Sequence, residues 1–221
     1  IDTKRIPFGF KEFWTEGINF VLNGTIFKMR RDRVRPILNN RLTHKEREQQ
    51  MRKWMLELKA KGCNICRLHR EPSPEWVARI GDETGMLIMP ESPMYVGGDY
   101  YDIQNPVFWN NFKKEWKGLV EMFRNHPSVV MYSIENESID TAQRMDPEVR
   151  ARYETKTVEV GEYVRSLDPT KEIQYDGDLD MHGRCEVYNI HYPLLSKWYS
   201  SFPNQAYWIE EGENHLIGTA H

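Results

Sequence analysis

The chain has 221 residues and a formal charge of −3, a length that suits one α/β domain with a sizeable core or two small ones. Its 30 basic and 33 acidic side chains leave no basic bias pointing to nucleic acid and no polybasic arm for anionic lipid. No run of about 18 apolar residues is present to span a membrane.

Ile18–Leu22 and Thr25–Met29 are β-rich runs joined by Asn23-Gly24, the strongest short signal for a hairpin. A helix is expected from about Lys45 to Lys61. Thr43 and Glu46 fit a capping box and Gly62 fits the C′ position. Met51, Trp54, Met55 and Leu58 recur at helical spacing and form its buried stripe. Asn64–His69 reads as a short strand. Ser73-Pro74-Glu75 opens the next helix, with Ser73 as cap and Pro74 at the first helical position. Trp76, Val77 and Ile80 are its apolar face, and Gly85 stops it.

Met86–Glu91 is a third strand and ends in a carboxylate. The connection from Ser92 to Asn105 is long and carries Met94, Tyr95, Tyr100 and Tyr101; loops of such length in compact domains are often functional. Pro106 opens a helix whose apolar positions are Phe108, Phe112, Trp116, Leu119, Val120 and Phe123. The apolar run after Pro127 is a fourth strand. A helix from about Pro147 to Leu167 follows, and Ile173–Asp176, Cys185–Tyr192 and Ala206–Glu210 read as strands five, six and seven. The basic run Lys28, Arg30, Arg31, Arg33 and Arg35 reads as a solvated loop.

Strands alternating with helices mean βα units and a parallel sheet. Many of the strands end in polar residues, and no glycine-rich phosphate loop links any strand to its helix. Both features favour an α/β (β/α)8 TIM barrel over a doubly wound sheet. The tally stops at about seven βα units, and an open barrel would expose a strand edge. The barrel is therefore expected to be incomplete in this chain, its eighth unit missing. The N-terminus, Ile1-Asp2-Thr3-Lys4-Arg5, has no signal-peptide pattern and no initiator Met, so a processed or excised segment is expected. Three cysteines give no disulfide framework. Cys63-Asn64-Ile65-Cys66 matches CxxC, but on a strand residues three apart point to opposite faces. That opposes chelation or a redox pair and leaves small buried side chains.

Barrel enzymes keep their chemistry at the C-terminal ends of the strands. The stretch from Arg124 to Glu137 is an apolar run, bounded by a Pro turn, that ends in Glu135, Asn136 and Glu137. Retaining glycoside hydrolysis needs two carboxyl groups about 5–5.5 Å apart. One is an acid/base with a raised pKa and the other an ionised nucleophile. Glu137 and Glu210 end two apolar strands and suit this pair, while Glu135, Glu211 and Glu213 compete for the roles. Alternation puts Glu135 and Glu137 on one face and does not choose between them; position nearest the strand end favours Glu137. Solvated loop carboxylates are the plainer alternative. Metal-dependent hydrolysis by His69, Glu91, His191 and Glu137 is a further class, but no compact His/carboxylate ligand motif is present. No metal and no cofactor is expected.

Asn125-His126-Pro127-Ser128-Val129-Val130-Met131-Tyr132-Ser133-Ile134-Glu135-Asn136-Glu137 resembles the acid/base strand of glycoside hydrolase family 2, N-H-P-S-[VI]-x-x-W-S-[LI]-x-N-E. The resemblance implies that Glu137 is the acid/base and that Asn136 binds the sugar 2-hydroxyl. Strict alternation would turn Asn136 away from the face of Glu137, so a twist or bulge at this strand end is implied. Ile209-Glu210-Glu211-Gly212 resembles the nucleophile segment E-[FY]-G, which implies Glu210 as nucleophile. Glu211 stands where the family has an aromatic residue, so the choice between the two stays open. Asn189-Ile190-His191-Tyr192 resembles the sixth strand, whose Tyr donates a hydrogen bond that helps keep the nucleophile ionised; Tyr192 is that candidate.

Asn64-Ile65-Cys66-Arg67 resembles the second strand, whose Arg lies near the nucleophile. The family commonly has His three residues later; here Arg70 stands there and His69 precedes it. Glu91 matches the acidic end of the third strand. Phe8-Gly9-Phe10-Lys11 and Phe20-Val21-Leu22-Asn23-Gly24 resemble the passage from an immunoglobulin-like sandwich into the barrel. Residues 1–17 are accordingly expected to be a linker and residues 18–221 the glycosidase barrel. The expected function is that of a retaining β-glycosidase, with Glu137 and Glu210 catalytic. Arg67, His69, Glu91, Asn136, His191, Tyr192 and Trp208 are expected to line a carbohydrate substrate. The alternative is a non-catalytic carbohydrate-binding barrel. The family handles galactose, mannose and glucuronic acid among other sugars.

Overall fold

A computed structural model of the chain describes residues 3, 8–35, 41–95, 101–138, 146–177, 181 and 183–189. Its first unit is an antiparallel sheet of β1 (Phe13–Glu16), β2 (Asn19–Leu22) and β3 (Thr25–Phe27). The expected hairpin turn is present: Asn23 and Gly24 both take positive φ, 49° and 77°, as a type I′ turn requires. β1 was not legible as a strand. It is only four residues long, and it is held by its ladder to β2 and by Phe13, which stacks on Phe20 at 5.5 Å.

β4 (Arg31–Val34) corrects part of the reading of the basic run as a solvated loop: Lys28, Arg30 and Arg35 are exposed outside any strand, but Arg31 and Arg33 lie on β4. Arg31 to Val34 pair in parallel with β5 (Ile65–Leu68). The ladder is supplied by a neighbour some 30 residues away, so no local apolar pattern announces it. α1 (His44–Ala60) begins at the expected capping box: the Glu46 backbone N–H donates to Thr43 Oγ1 at 3.3 Å, and the Thr43 N–H donates to Glu46 Oε2 at 2.7 Å. Met51, Met55 and Leu58 are its buried residues, and Trp54 packs at the margin.

α2 (Glu75–Thr84) starts one residue later than expected. Pro74 is itself the N-cap, with extended backbone, and Ser73 makes no capping bond. Its left-handed end is at Gly85, φ 67°, where glycine avoids a Cβ clash. Within α2 a Cβ on Gly81 would lie 2.6 Å from Ile88 Cγ1 and 2.9 Å from the Met86 carbonyl. Only glycine lets this helix lie so close to β6 (Leu87–Met89). α3 (Pro106–Phe123) is capped by Asn105 and buries Trp109, Phe112, Trp116 and Phe123. α4 (Pro147–Leu167) is capped by Asp146. Between and after these helices run β7 (Met131–Asn136) and β8 (Glu172–Asp176).

β4, β5 and β6 form one parallel ladder and β7 and β8 another. Parallel bridges Ile88–Val129, Glu91–Ser133 and Tyr95–Asn136 join β6 to β7. The five strands thus stand side by side in chain order, with α1 to α4 packed against one another in the same order. This is the winding of a TIM-barrel-like α/β wall; a doubly wound sheet would reverse direction at a switch point. β5 and β7 are buried along their whole length, as strands between a helical layer and a barrel interior must be.

Of the expected sixth strand, Cys185–Val187 bends instead of extending, and Asn189 makes a single bridge. The Cys185 thiol lies 3.1 Å from the Ile173 carbonyl oxygen. The seventh strand, Ala206–Glu210, lies outside the described residues. Cys66 is buried in β5, and burial pushes its thiol pKa up to about 12, consistent with a packing role.

Candidate active site

The strands deliver a set of polar side chains that meet across the wall. Arg67, from β5, is 5% exposed. Its Nη1 donates to Glu91 Oε2 at 2.8 Å and to Asn136 Oδ1 at 2.9 Å, and it also pairs with Asp176. Its Nη2 contacts His69 Nδ1 at 2.8 Å. A guanidinium only donates, so Nδ1 is the acceptor in this contact. Burial pulls the Arg67 guanidinium down from its ordinary value, and the charge of Glu91 opposes that shift.

Glu91 is 1% exposed. Its Oε1 accepts the Arg70 backbone N–H at 2.7 Å and its Oε2 accepts the Ser133 hydroxyl at 2.8 Å. Arg70 in turn lies over the Tyr95 ring, 4.0 Å from the centroid. A buried carboxylate is tolerated only when paired and hydrogen-bonded, and Glu91 meets both conditions through β5 and β7. Four expected site residues, Arg67, His69, Glu91 and Asn136, therefore come together.

Asp176, at the end of β8, was not among the expected site residues. Its carboxylate is fully buried. Oδ1 accepts from Arg31 Nη1 at 2.5 Å, Gln174 Nε2 at 2.8 Å and Asn189 Nδ2 at 3.1 Å. Arg31 stands on β4 and Asp176 on β8, the two outer strands of the described wall. In a flat sheet these strands would be about 19 Å apart, four steps of about 4.8 Å. Direct contact between them means that the wall is curled into a barrel-like arc. The rule that singled out Glu91 and Glu137, a carboxylate at a strand end, also describes Asp176. Arg31 gave no such signal, because its partner is 145 residues away.

Glu137 follows β7 directly. The register slips between Ser133, opposite Gln174, and Asn136, opposite Asp176. That irregularity fits the twist or bulge that the family resemblance implied at this strand end. Glu137 itself takes φ 52°, a conformation uncommon outside glycine and concentrated at functional sites. Its backbone N–H donates to the Asp176 carbonyl at 2.7 Å. Asn136 Nδ2 donates to Glu137 Oε2 at 3.3 Å while its Oδ1 holds Arg67. Glu137 is half-buried, whereas Glu135 is 0% exposed and accepts the Ser138 backbone N–H at 2.8 Å. Of the two carboxylates, Glu137 is the one open to a ligand.

Glu210, His191, Tyr192 and Trp208 lie outside the described residues, as do the competing Glu211 and Glu213. Among the described residues no group of three or more His, Cys, Asp or Glu is placed to hold a metal ion.

Residues 39–217 match the family described as "Glycosyl hydrolases family 2, TIM barrel domain". A putative beta-glucuronidase of Formosa agariphila is 26% identical over 209 residues, covering 89% of this chain and 23% of that protein. A beta-glucuronidase of Bacteroides fragilis is 23% identical over 210 residues, covering 92% of this chain and 28% of its own length. The chain thus spans about a quarter of the length of these relatives. Among solved structures, Bacteroides uniformis beta-glucuronidase 3 in its apo form is 26% identical, with a TM-score of 0.62 over 76% of this chain and 21% of that chain. The Eisenbergiella tayi GH2 beta-galacturonidase bound to galacturonate has a TM-score of 0.73 and 24% identity over 96% of this chain and 37% of that chain. With the family match covering most of its length and the same barrel wall in its structure, this chain belongs to glycosyl hydrolase family 2, as its TIM barrel domain.

Proposed function

We propose that the chain is the catalytic barrel of a retaining β-glycosidase, with Glu137 as acid/base and Glu210 as nucleophile. The observation that carries this reading is the end of β7. A bulge and a left-handed residue there turn a half-buried carboxylate out beside Asn136 and Arg67. In the first step Glu137 gives its proton to the glycosidic oxygen as Glu210 attacks the anomeric carbon, so the C–O bond breaks and a glycosyl ester forms. In the second, Glu137 takes a proton from water, which attacks the same carbon and releases Glu210. Asn136, held by Arg67, would receive the sugar 2-hydroxyl. Tyr192 would stabilise the ionised nucleophile, and His69, Glu91, His191 and Trp208 would complete the lining. The relatives named beta-glucuronidase and the neighbour bound to galacturonate support a β-linked uronic acid as the sugar.

In the intact protein, Glu137→Gln is expected to lower kcat/KM on phenyl β-D-glucuronide by about 10²–10⁴-fold, the range of a lost general acid, and Glu210→Gln to nearly abolish it, because no glycosyl ester can form. Full activity in either variant would sink its assignment. Sugar binding without turnover, and without covalent trapping by a 2-fluoro glycoside, would point instead to a carbohydrate-binding barrel.

A further inference from the structure

Two arginines, Arg31 and Arg67, reach Asp176. Arg67 also holds Asn136, and Asn136 contacts the Glu137 carboxylate at 3.3 Å. Glu137 lies within electrostatic reach of Arg67, whose charged form it favours. A general acid must keep its proton at working pH, and a nearby guanidinium works against that by stabilising the carboxylate. Among the described residues, the charged or titratable groups around this point include Arg31 from β4, Arg67, His69 and Arg70 from β5 and its end, Glu91 and Tyr95 beyond β6, Glu135 on β7 and Asp176 on β8. Two cations and two anions, Arg31 and Arg67 against Glu91 and Asp176, form its buried centre. Asp176 forms ion pairs with both cations, and its backbone carbonyl accepts the Glu137 N–H.

We propose that Asp176 is a positioning residue for Glu137. Its backbone carbonyl fixes the left-handed turn that presents the acid/base, and its carboxylate absorbs the charge of Arg31 and Arg67 that would otherwise face that acid. Gln174 and Asn189 keep the carboxylate oriented by donating to the same oxygen. This rests on the reading of Glu137 as acid/base. Asp176→Asn preserves shape and backbone while removing the charge. Arg31→Gln, at a side chain 24% exposed, removes a cation instead, so the two variants alter the field at Glu137 in opposite senses.

The test measures kcat/KM against pH for the intact protein with phenyl and 2,4-dinitrophenyl β-D-glucuronide. The first leaving group needs a proton from the acid; the second leaves without one. Asp176→Asn is expected to move the basic limb of the profile down by about one pH unit and Arg31→Gln to move it up by a similar amount. At neutral pH, Asp176→Asn should slow the phenyl glycoside by up to about tenfold, the most that a one-unit fall in the pKa of the acid allows, and the dinitrophenyl glycoside less than about twofold. A structural role alone would slow both substrates equally and leave the limb in place, and that result overturns the proposal. If Asp176→Asn does not fold, the Arg31→Gln limb decides: an upward move supports the proposal, and an unmoved or lowered limb overturns it. Glu137→Gln is run alongside. Its full activity overturns the acid/base reading itself, whereas an inactive Glu137→Gln with an unmoved limb in the other variants overturns the role of Asp176 alone.

Discussion

The two ends of the parallel wall both bury charge, and they organise it differently. At the N-terminal ends of the strands the contacts are local clamps. His126 Nδ1 sits 2.6 Å from Asp82 Oδ2, and Asp82 Oδ1 accepts the Ser128 N–H at 2.9 Å, which ties the turn before β7 to α2. Lys171 lies 3.2 Å from Asp168, which also accepts the Tyr132 hydroxyl at 3.0 Å. Lys11 donates to the Val129 carbonyl. At the C-terminal ends one guanidinium, Arg67, is shared by Glu91, Asn136, Asp176 and His69, and the backbone beside it is left-handed at Glu137. Clamps of the first kind can be removed one at a time. A shared network couples its members, so one deletion disturbs several. Barrels commonly divide stability and chemistry between these two faces, and each face can be probed separately.

The largest effect is expected from Arg67→Met. It leaves Glu91 and Asp176 buried without their shared cation, a loss of about 3–5 kcal/mol, readable by urea denaturation, together with loss of glycoside hydrolysis. Stability within about 1 kcal/mol of the parent would break the contrast, because a buried network cannot lose its central charge so cheaply. At the other face, Asp168→Ala deprives Tyr132 of its acceptor and Lys171 of its carboxylate partner. About 2–3 kcal/mol of stability should go, with kcat/KM of the folded protein unchanged. A tenfold fall in kcat/KM would show that the two faces are not separable.

The last effect is one of pH. Burial lowers the pKa of Lys11 from 10.5 to about 7, with the charge of Lys171 adding to the shift. Below about 7 the amine is protonated in both folded and unfolded chains, and the folded state carries the full burden of the buried charge. As pH rises from about 7 towards 10.5, the unfolded chain binds the extra proton, so stability increases across that window. Lys11→Met should flatten that rise, as followed by thermal unfolding between pH 7 and 10. An unaltered slope would place the titration elsewhere.

Much of this architecture is legible in the chain because its signals are local. The Thr43–Glu46 capping box, Asn23-Gly24, Pro147 at the start of α4 and the apolar run of β7 act over a few residues, the range over which periodicity and caps operate. The same local rules placed Glu91 and Glu137 at strand ends, and the resemblance of the segment around His126 to a family pattern implied the bulge that the ladder contains. They misplaced the start of α2, where Pro74 rather than Ser73 is the cap, and they read Arg31–Val34 as loop.

The sequence by itself determined the alternation of helices and strands and the class of fold, since both follow from propensity, spacing and turn chemistry between near neighbours; the same rules offered Glu137 as a strand-end carboxylate, and the family resemblance implied its acid/base role. Only the tertiary structure decided that Arg31 belongs to a strand, that Asp176 gathers two arginines, and that Asn136 links Arg67 to Glu137. Those contacts join residues up to 145 positions apart. They exist because five strands pair in order and curl until their ends converge. No property of Arg31 or Asp176 taken singly encodes that meeting.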